Sequence, residues 1–158
     1  MTVGRYEMQS PGTVSDERLR GLTGYNLKRA FHTVQSDLTE TLAPFKLRML
    51  TFAALVLVED NAGLRPSHLA DALAVERANL VAIIDELAKN GWIERRPNPK
   101  DRRAHALFVT EVGSAQCARA FDAVRQHDAR VHAGLSRAEQ TTLVSLLCRI
   151  ERAGKSGR

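Results

Sequence analysis

Five of the nine residues from Arg95 to Arg103, within NGWIERRPNPKDRRAHALFVT, are lysine or arginine. Guanidinium and ammonium groups at that density bind polyanions, above all nucleic-acid phosphates, and arginine is also drawn to the negative potential of a narrow DNA minor groove. Two prolines and an asparagine sit among the charges, and strand-like alternation flanks both sides. The run therefore reads as a β-hairpin with a basic tip. One acid, Asp101, lies inside that tip. No catalytic constellation competes with it. There is no phosphate-binding glycine loop, no HExxH, no GxSxG, and no metal-ligand spacing among His105, His127 and His132. The sequence implies no enzyme, no cofactor and no metal.

The whole chain bounds what such a hairpin belongs to. At 158 residues it suits one domain with extensions. A net charge of +5 and a pI near 9.7 favour polyanionic partners. The most apolar run, MLTFAALVLV, is followed at once by Glu59 and Asp60 and is far short of the roughly 18–20 residues of a membrane span. The N-terminal MTVGRYEMQSPGTVSDERLR lacks the apolar core of a signal peptide. These features point to a cytoplasmic protein with no membrane partner. Cys117 and Cys148 stand in no CxxC or Cys/His spacing, so both are expected to be small buried thiols.

The elements around the hairpin follow from periodicity. Residues 1–14 read as a flexible arm. A helical pattern starts near Ser15 and puts Leu27, Ala30, Phe31, Val34 and Leu38 on one face. Ala43-Pro44 ends it. Lys46 to about Glu59 is apolar nearly all round, the pattern of a helix buried on most sides. After Asn61-Ala62-Gly63, two short helices follow with a tight link at Val75-Glu76. The first, Arg65 to Ala74, carries Leu69, Ala72 and Leu73. The second, Arg77 to Asn90, carries Leu80, Ile83, Ile84 and Leu87, and Gly91 can close it in a left-handed conformation. Beyond the hairpin, Thr110 is placed to cap a long helix to about Leu135, with Cys117, Phe121, Val124, Asp128, Val131 and Leu135 on its face. Ser136 and Glu139 form a capping box. The last helix carries Leu143, Leu146, Leu147 and Ile150, and the tail GKSGR is expected to be unstructured.

Two short helices with a tight link and a basic hairpin directly downstream predict a winged helix-turn-helix over 47–110, in a chain that is mainly α with a small β-hairpin. A helix fits the DNA major groove, and the hairpin reaches the neighbouring backbone or minor groove. The helices at 15–46 and 111–154 carry apolar stripes that a small central globule cannot cover. They predict dimerisation in a two-fold homodimer, whose natural partner is double-stranded DNA bearing an inverted repeat.

The stretch LVAIIDELAKNGWIERRPNPKDRRAHALFVTEVG resembles the signature of the MarR family of bacterial transcription regulators. The matching residues are Gly91, Glu94-Arg95-Arg96, Asp101-Arg102-Arg103 and Thr110 to Gly113, and the helix order is similar along nearly the whole chain. The resemblance implies that Asp101 and Arg103 brace the wing and that Arg102 and Arg103 enter the minor groove. It implies phosphate contacts for Lys100 and Asn98 and a backbone contact for Ser67. Arg95 and Arg96 alternate along the strand, so one of them faces DNA. The family's peroxide sensors use a reactive cysteine near the start of the first helix, where this chain has none.

The recognition helix departs from the common pattern: Ala78-Asn79 and Ala82 stand where many relatives have Ser-Thr and an arginine. With Leu80, Ile83, Ile84 and Leu87 buried, its outer face is Ala78, Ala82, Asp85 and Lys89, flanked by Asn79 and Val81. Asn79 suits adenine, the alanines suit thymine methyls, and Arg77 suits phosphate or guanine. Asp85 and Glu86 would be repelled by phosphate, so the C-terminal half is expected to turn away, leaving phosphates and the wing to supply much of the affinity. The RANL start resembles a subset of the family tied to aromatic-acid breakdown, which implies release of a repressor by a phenolic acid or a hydroxycinnamoyl-CoA thioester. Candidate effector residues are Tyr25, Arg29, His32, Arg48 and Phe52: arginines for a carboxylate or CoA phosphate, Tyr25 and His32 for a phenol. The alternatives are a basic protein-interaction module and a family regulator answering another signal.

Overall fold

The computed structural model describes residues 14–98 and 101–156, without the side chains at 98, 101–104 and 155–156. The element order is α1 (Glu17–Arg20), α2 (Thr23–Leu42), a 3₁₀ turn (Ala43–Phe45), α3 (Met49–Asp60), α4 (Pro66–Leu73), α5 (Arg77–Lys89), β1 (Ile93–Asn98), β2 (Asp101–Val109), α6 (Glu111–Val131) and α7 (Arg137–Ser156). The chain divides into two compact units, Met1–Val34 and Gln35–Arg158, with the boundary inside α2. Among the described residues no single helix is long and apolar enough to cross a membrane.

In the second unit α3 is the hub. It packs against α4, α5, α6 and β2. Its Thr51, Ala54, Leu55 and Val58 are fully buried, as an all-round apolar helix requires. Around it gather Leu69 and Ala70 of α4, Leu80, Ile83, Ile84 and Leu87 of α5, Trp92, Ile93 and Leu107 of the hairpin, and Cys117 and Ala120 of α6. Leu42, at the end of α2, joins the same core. Nearby, His127 of α6 is buried with its Nε2 3.3 Å from Asp37 of α2.

The turn between α4 and α5 is built without glycine. Ala74 takes a left-handed conformation at φ 52°, and its N–H closes on the carbonyls of Ala70 and Asp71. After α5, Gly91 at φ 71° reverses the chain, and the Trp92 N–H returns to the Leu87 carbonyl. β1 and β2 pair antiparallel from Ile93↔Val109 to Pro97↔His105, with an irregularity between Pro97 and Asn98. Leu64 adds an isolated bridge to Leu107. Thr110 then caps α6: its hydroxyl accepts from the Gly113 N–H at 2.9 Å and donates to the Gly91 carbonyl at 2.6 Å. Gly113 is fixed by crowding, since a Cβ there would lie 1.9 Å from the Trp92 carbonyl oxygen.

Several boundaries differ from expectation. The first helix is interrupted at Gly21-Leu22, where the Asn26 side chain donates to the carbonyls of Arg20 and Leu22. The helix expected from Lys46 begins at Met49, because Lys46 sits at φ 56°, closing the 3₁₀ turn set by Pro44. Leu47 is buried all the same, from a loop, which is why the apolar pattern ran past the true start. α6 ends at Val131 rather than near Leu135. α7 continues through Gly154 to Ser156 instead of stopping at the glycine; one glycine costs a helix only about 1 kcal/mol. The Ser136–Glu139 capping box is present, with each residue bonding the other's backbone N–H.

Cys148 corrects the expectation of two buried thiols: Cys117 is buried but Cys148 is exposed. The cause is α7 itself, whose described side chains are exposed except for half-buried Gln140, and they include Leu143, Leu146, Leu147 and Ile150. On α2, Leu27 and Phe31 are likewise exposed. Among the described residues both apolar stripes stay exposed.

Candidate nucleic-acid interface

The four inward residues of α5 fix its rotation, and Arg77, Ala78, Asn79, Val81, Ala82, Asp85 and Lys89 are consequently exposed. Ser67 is exposed in the first turn of α4. The predicted outer face therefore exists as a surface. Val81 is more than half exposed and is the one large apolar side chain so placed on α5. The side chains of Asn98, Asp101, Arg102 and Arg103, and the whole of Lys100, lie outside the described residues. The expected Asp101–Arg103 brace falls there too.

Where β1 leaves the core, Arg95 and Arg96 diverge. Arg95 forms an ion pair with Asp85 of α5. Arg96 pairs with Glu94 and lies over the Phe108 ring, 4.7 Å from its centroid, in cation–π range. Glu86, the other acid of the recognition helix, is ion-paired with Arg48 at the start of α3. Both acids are thus matched by arginines from outside α5. Sequence periodicity could show that Asp85 and Glu86 would oppose phosphate, but not that Arg48 and Arg95 reach them, because those contacts depend on tertiary packing.

The family model of MarR matches residues 47–105, which runs from just before α3 into β2. A Thauera aromatica protein named for transcriptional regulation of the hcr operon is 33% identical over 138 residues, covering 85% of this chain and 81% of its own. The chain belongs to the MarR family. As a MarR-family protein it is a DNA-binding transcriptional regulator, and such regulators are non-enzymatic and dimeric. Among solved structures, the transcriptional repressor CouR bound to a 23-mer DNA duplex is 35% identical, with a TM-score of 0.84 over 89% of this chain and 99% of CouR. CouR bound to p-coumaroyl-CoA is 33% identical, with a TM-score of 0.79 over the same shares.

The residues proposed for an effector in this MarR-family chain fall in both units. Tyr25, Arg29 and His32 recur at i, i+4 and i+7 on α2, in the first unit. The Tyr25 hydroxyl donates to Asp16 Oδ2 at 2.7 Å, and the Arg20 guanidinium lies over its ring. That hydrogen bond holds the Asp16 carboxyl below its ordinary value and the Tyr25 phenol above its own. Arg48 and Phe52 belong to the second unit. Arg48 is held by Glu86, and Phe52 packs on Phe121 of α6 with ring centroids 6.3 Å apart. Sequence reasoning did not single out Phe121 as a neighbour of Phe52.

A cavity of about 320 Å³ opens between α3 and α6, lined by Val56, Glu59, Asp60, Cys117, Ala118, Phe121 and Asp122. It includes none of the candidate effector residues. Its three carboxylates give it the wrong sign for a carboxylate or CoA phosphate. Ser114 donates to Glu59 at 2.5 Å. Burial and the nearby Glu59 carboxylate push the Cys117 thiol up to about 12, far from the low value a redox-sensing thiolate requires.

Proposed function

We propose that this MarR-family regulator is a repressor whose two-fold dimer binds an inverted-repeat operator and is released by a small anionic aromatic ligand or its CoA thioester. One α5 from each protomer enters successive major grooves, about one helical turn apart. The observation that carries this reading is the α5 surface: a fixed, exposed face beside the wing, with both of its acids paired to arginines. On that face Asn79 reads adenine, Ala78 and Ala82 meet thymine methyls, and Arg77 reaches phosphate or guanine. Ser67 contacts backbone. Asn98 and Lys100 meet phosphates, Arg102 and Arg103 enter the minor groove, and Asp101 braces Arg103. Arg95 acts mainly as a brace for α5 through Asp85.

The ligand class is supported by the likeness to CouR, which has been solved with p-coumaroyl-CoA. Arg29 and Arg48 suit its anionic groups, Tyr25 and His32 its phenol, and Phe52 its ring. The ligand favours a dimer geometry whose half-site spacing no longer fits the operator. Gel shifts on an inverted repeat upstream of the protein's own gene test the first half. Wild-type protein retards the duplex at low salt, and Arg103→Ala abolishes most of the shift with the fold intact. Adding p-coumaroyl-CoA tests the second half: retention of the full shift at saturating ligand removes this ligand from the reading.

A further inference from the structure

Arg48 stands at the N-terminal boundary of α3, and its backbone is held there independently of its side chain. Its N–H donates to Thr51 Oγ1 at 2.8 Å, and its carbonyl accepts from the same hydroxyl at 3.0 Å. The guanidinium is free to reach elsewhere, and it reaches Glu86 of α5. The two side chains are 73% and 31% exposed, and pairs that open to solvent contribute little to stability. What the pair alters is the charge that α5 presents.

Successive helical residues are turned by about 100°. Asp85 therefore falls on the face formed by Ala78, Ala82 and Lys89, and Glu86 at the edge of that face toward Asn79. When a helix lies in a major groove, the edges of the inserted face run nearest the phosphate backbones. Asp85 on the face is paired with Arg95, and Glu86 at the edge with Arg48. We infer that Arg48 is a charge-masking and positioning residue for DNA binding. It acts through Glu86, cancelling a carboxylate that would otherwise oppose phosphate, and does not itself touch the duplex. This inference rests on the operator-binding reading above.

A double-substitution cycle in the full chain tests it, read as affinity for an inverted-repeat duplex. If the wild type binds no such duplex, the operator-binding reading fails, and this inference with it. Given binding, Arg48→Ala is expected to weaken it about five-fold, the scale of one unscreened charge pair at close range in water. Arg48→Lys, which keeps the charge, retains most of the affinity. The deciding comparison places Arg48→Ala in a Glu86→Gln background, where it is expected to change affinity by less than about two-fold. The same five-fold loss in both backgrounds would mean that Arg48 contacts phosphate directly. No loss in either would mean that the pair is inert. Either result overturns the inference.

Discussion

Arg95 of β1 and Asp85 of α5 form an ion pair that ties the root of the wing to the middle of the recognition helix. The two side chains are 41% and 58% exposed, so the pair adds at most about 1 kcal/mol to stability. Its value lies in orientation: it ties strand to helix and neutralises an acid on the outer face of α5.

A brace and a phosphate contact differ in salt dependence. Each lost phosphate contact lowers the slope of log affinity against log salt by roughly 0.9. Lys100→Ala, which removes a proposed phosphate contact, is expected to lower that slope by about one per protomer. Arg95→Ala is expected to weaken operator binding several-fold while leaving the slope nearly unchanged and the melting temperature within a few degrees. Equal drops in slope for the two variants would place Arg95 on the DNA and end its assignment as a brace.

Gly113→Ala tests the junction between wing and α6. The added Cβ would fall 1.9 Å from the Trp92 carbonyl oxygen and 2.6 Å from its carbon, both backbone atoms that cannot swing aside. The Thr110 cap and the Thr110 N–H bond to Trp92 hold that backbone in place. Overpacking against such atoms costs about 3 kcal/mol or more. Chemical denaturation should show a loss of that size. A loss under about 1 kcal/mol would mean that the junction relaxes freely.

Gly113 also shows what the sequence could convey. The motif Thr110-Glu111-Val112-Gly113 was legible as a helix start, because a cap and the N–H that donates to it are local in sequence. The four inward positions of α5 were legible because helical periodicity fixes them, and the same periodicity exposed Arg77, Ala78, Asn79 and Ala82. The reason for Gly113 was not legible, since Trp92 approaches from another element. Nor were the partners of Glu86 and Asp85, nor the Phe52–Phe121 contact. Each is set by how α3, α5, β1 and α6 pack, and no spacing within one segment encodes it. The late start of α3 was hidden for a related reason: Leu47 is buried from a loop, so hydrophobicity there did not mean helix.

Cys117 makes a prediction in pH. Its thiol is pushed from an ordinary value of 9.0 up to about 12 by burial and by Glu59. The folded state therefore keeps a proton that the unfolded state sheds above about pH 9. Between that point and pH 12 the unfolded chain binds fewer protons, so this group makes stability fall as pH rises. In a Cys148→Ala background, unfolding midpoints should decline above pH 9, and less steeply once Cys117 is also replaced by alanine. The folded Cys148→Ala protein should resist a thiol reagent at pH 8 and react after unfolding. Rapid labelling of the folded Cys148→Ala protein at that pH would contradict the buried, protonated thiol.

Leu147 on α7 tests the assembly that the exposed stripes demand. Leu143, Leu146, Leu147 and Ile150 are 37–47% exposed on one helix, a contiguous apolar surface of the kind that marks an interface. Among the described residues this stripe stays exposed, and a second copy is its natural cover in a dimeric regulator. Leu147→Glu would bury an unpaired carboxylate there, at a cost of several kcal/mol. Sedimentation should show monomer at concentrations where the wild type is dimeric. The core around α3 shares no residue with this stripe, so helical content should be largely retained. Operator affinity should fall by a factor of about 100 or more, because a monomer loses the gain from engaging two half-sites at once. A variant that remains dimeric and binds normally would remove α7 from the interface.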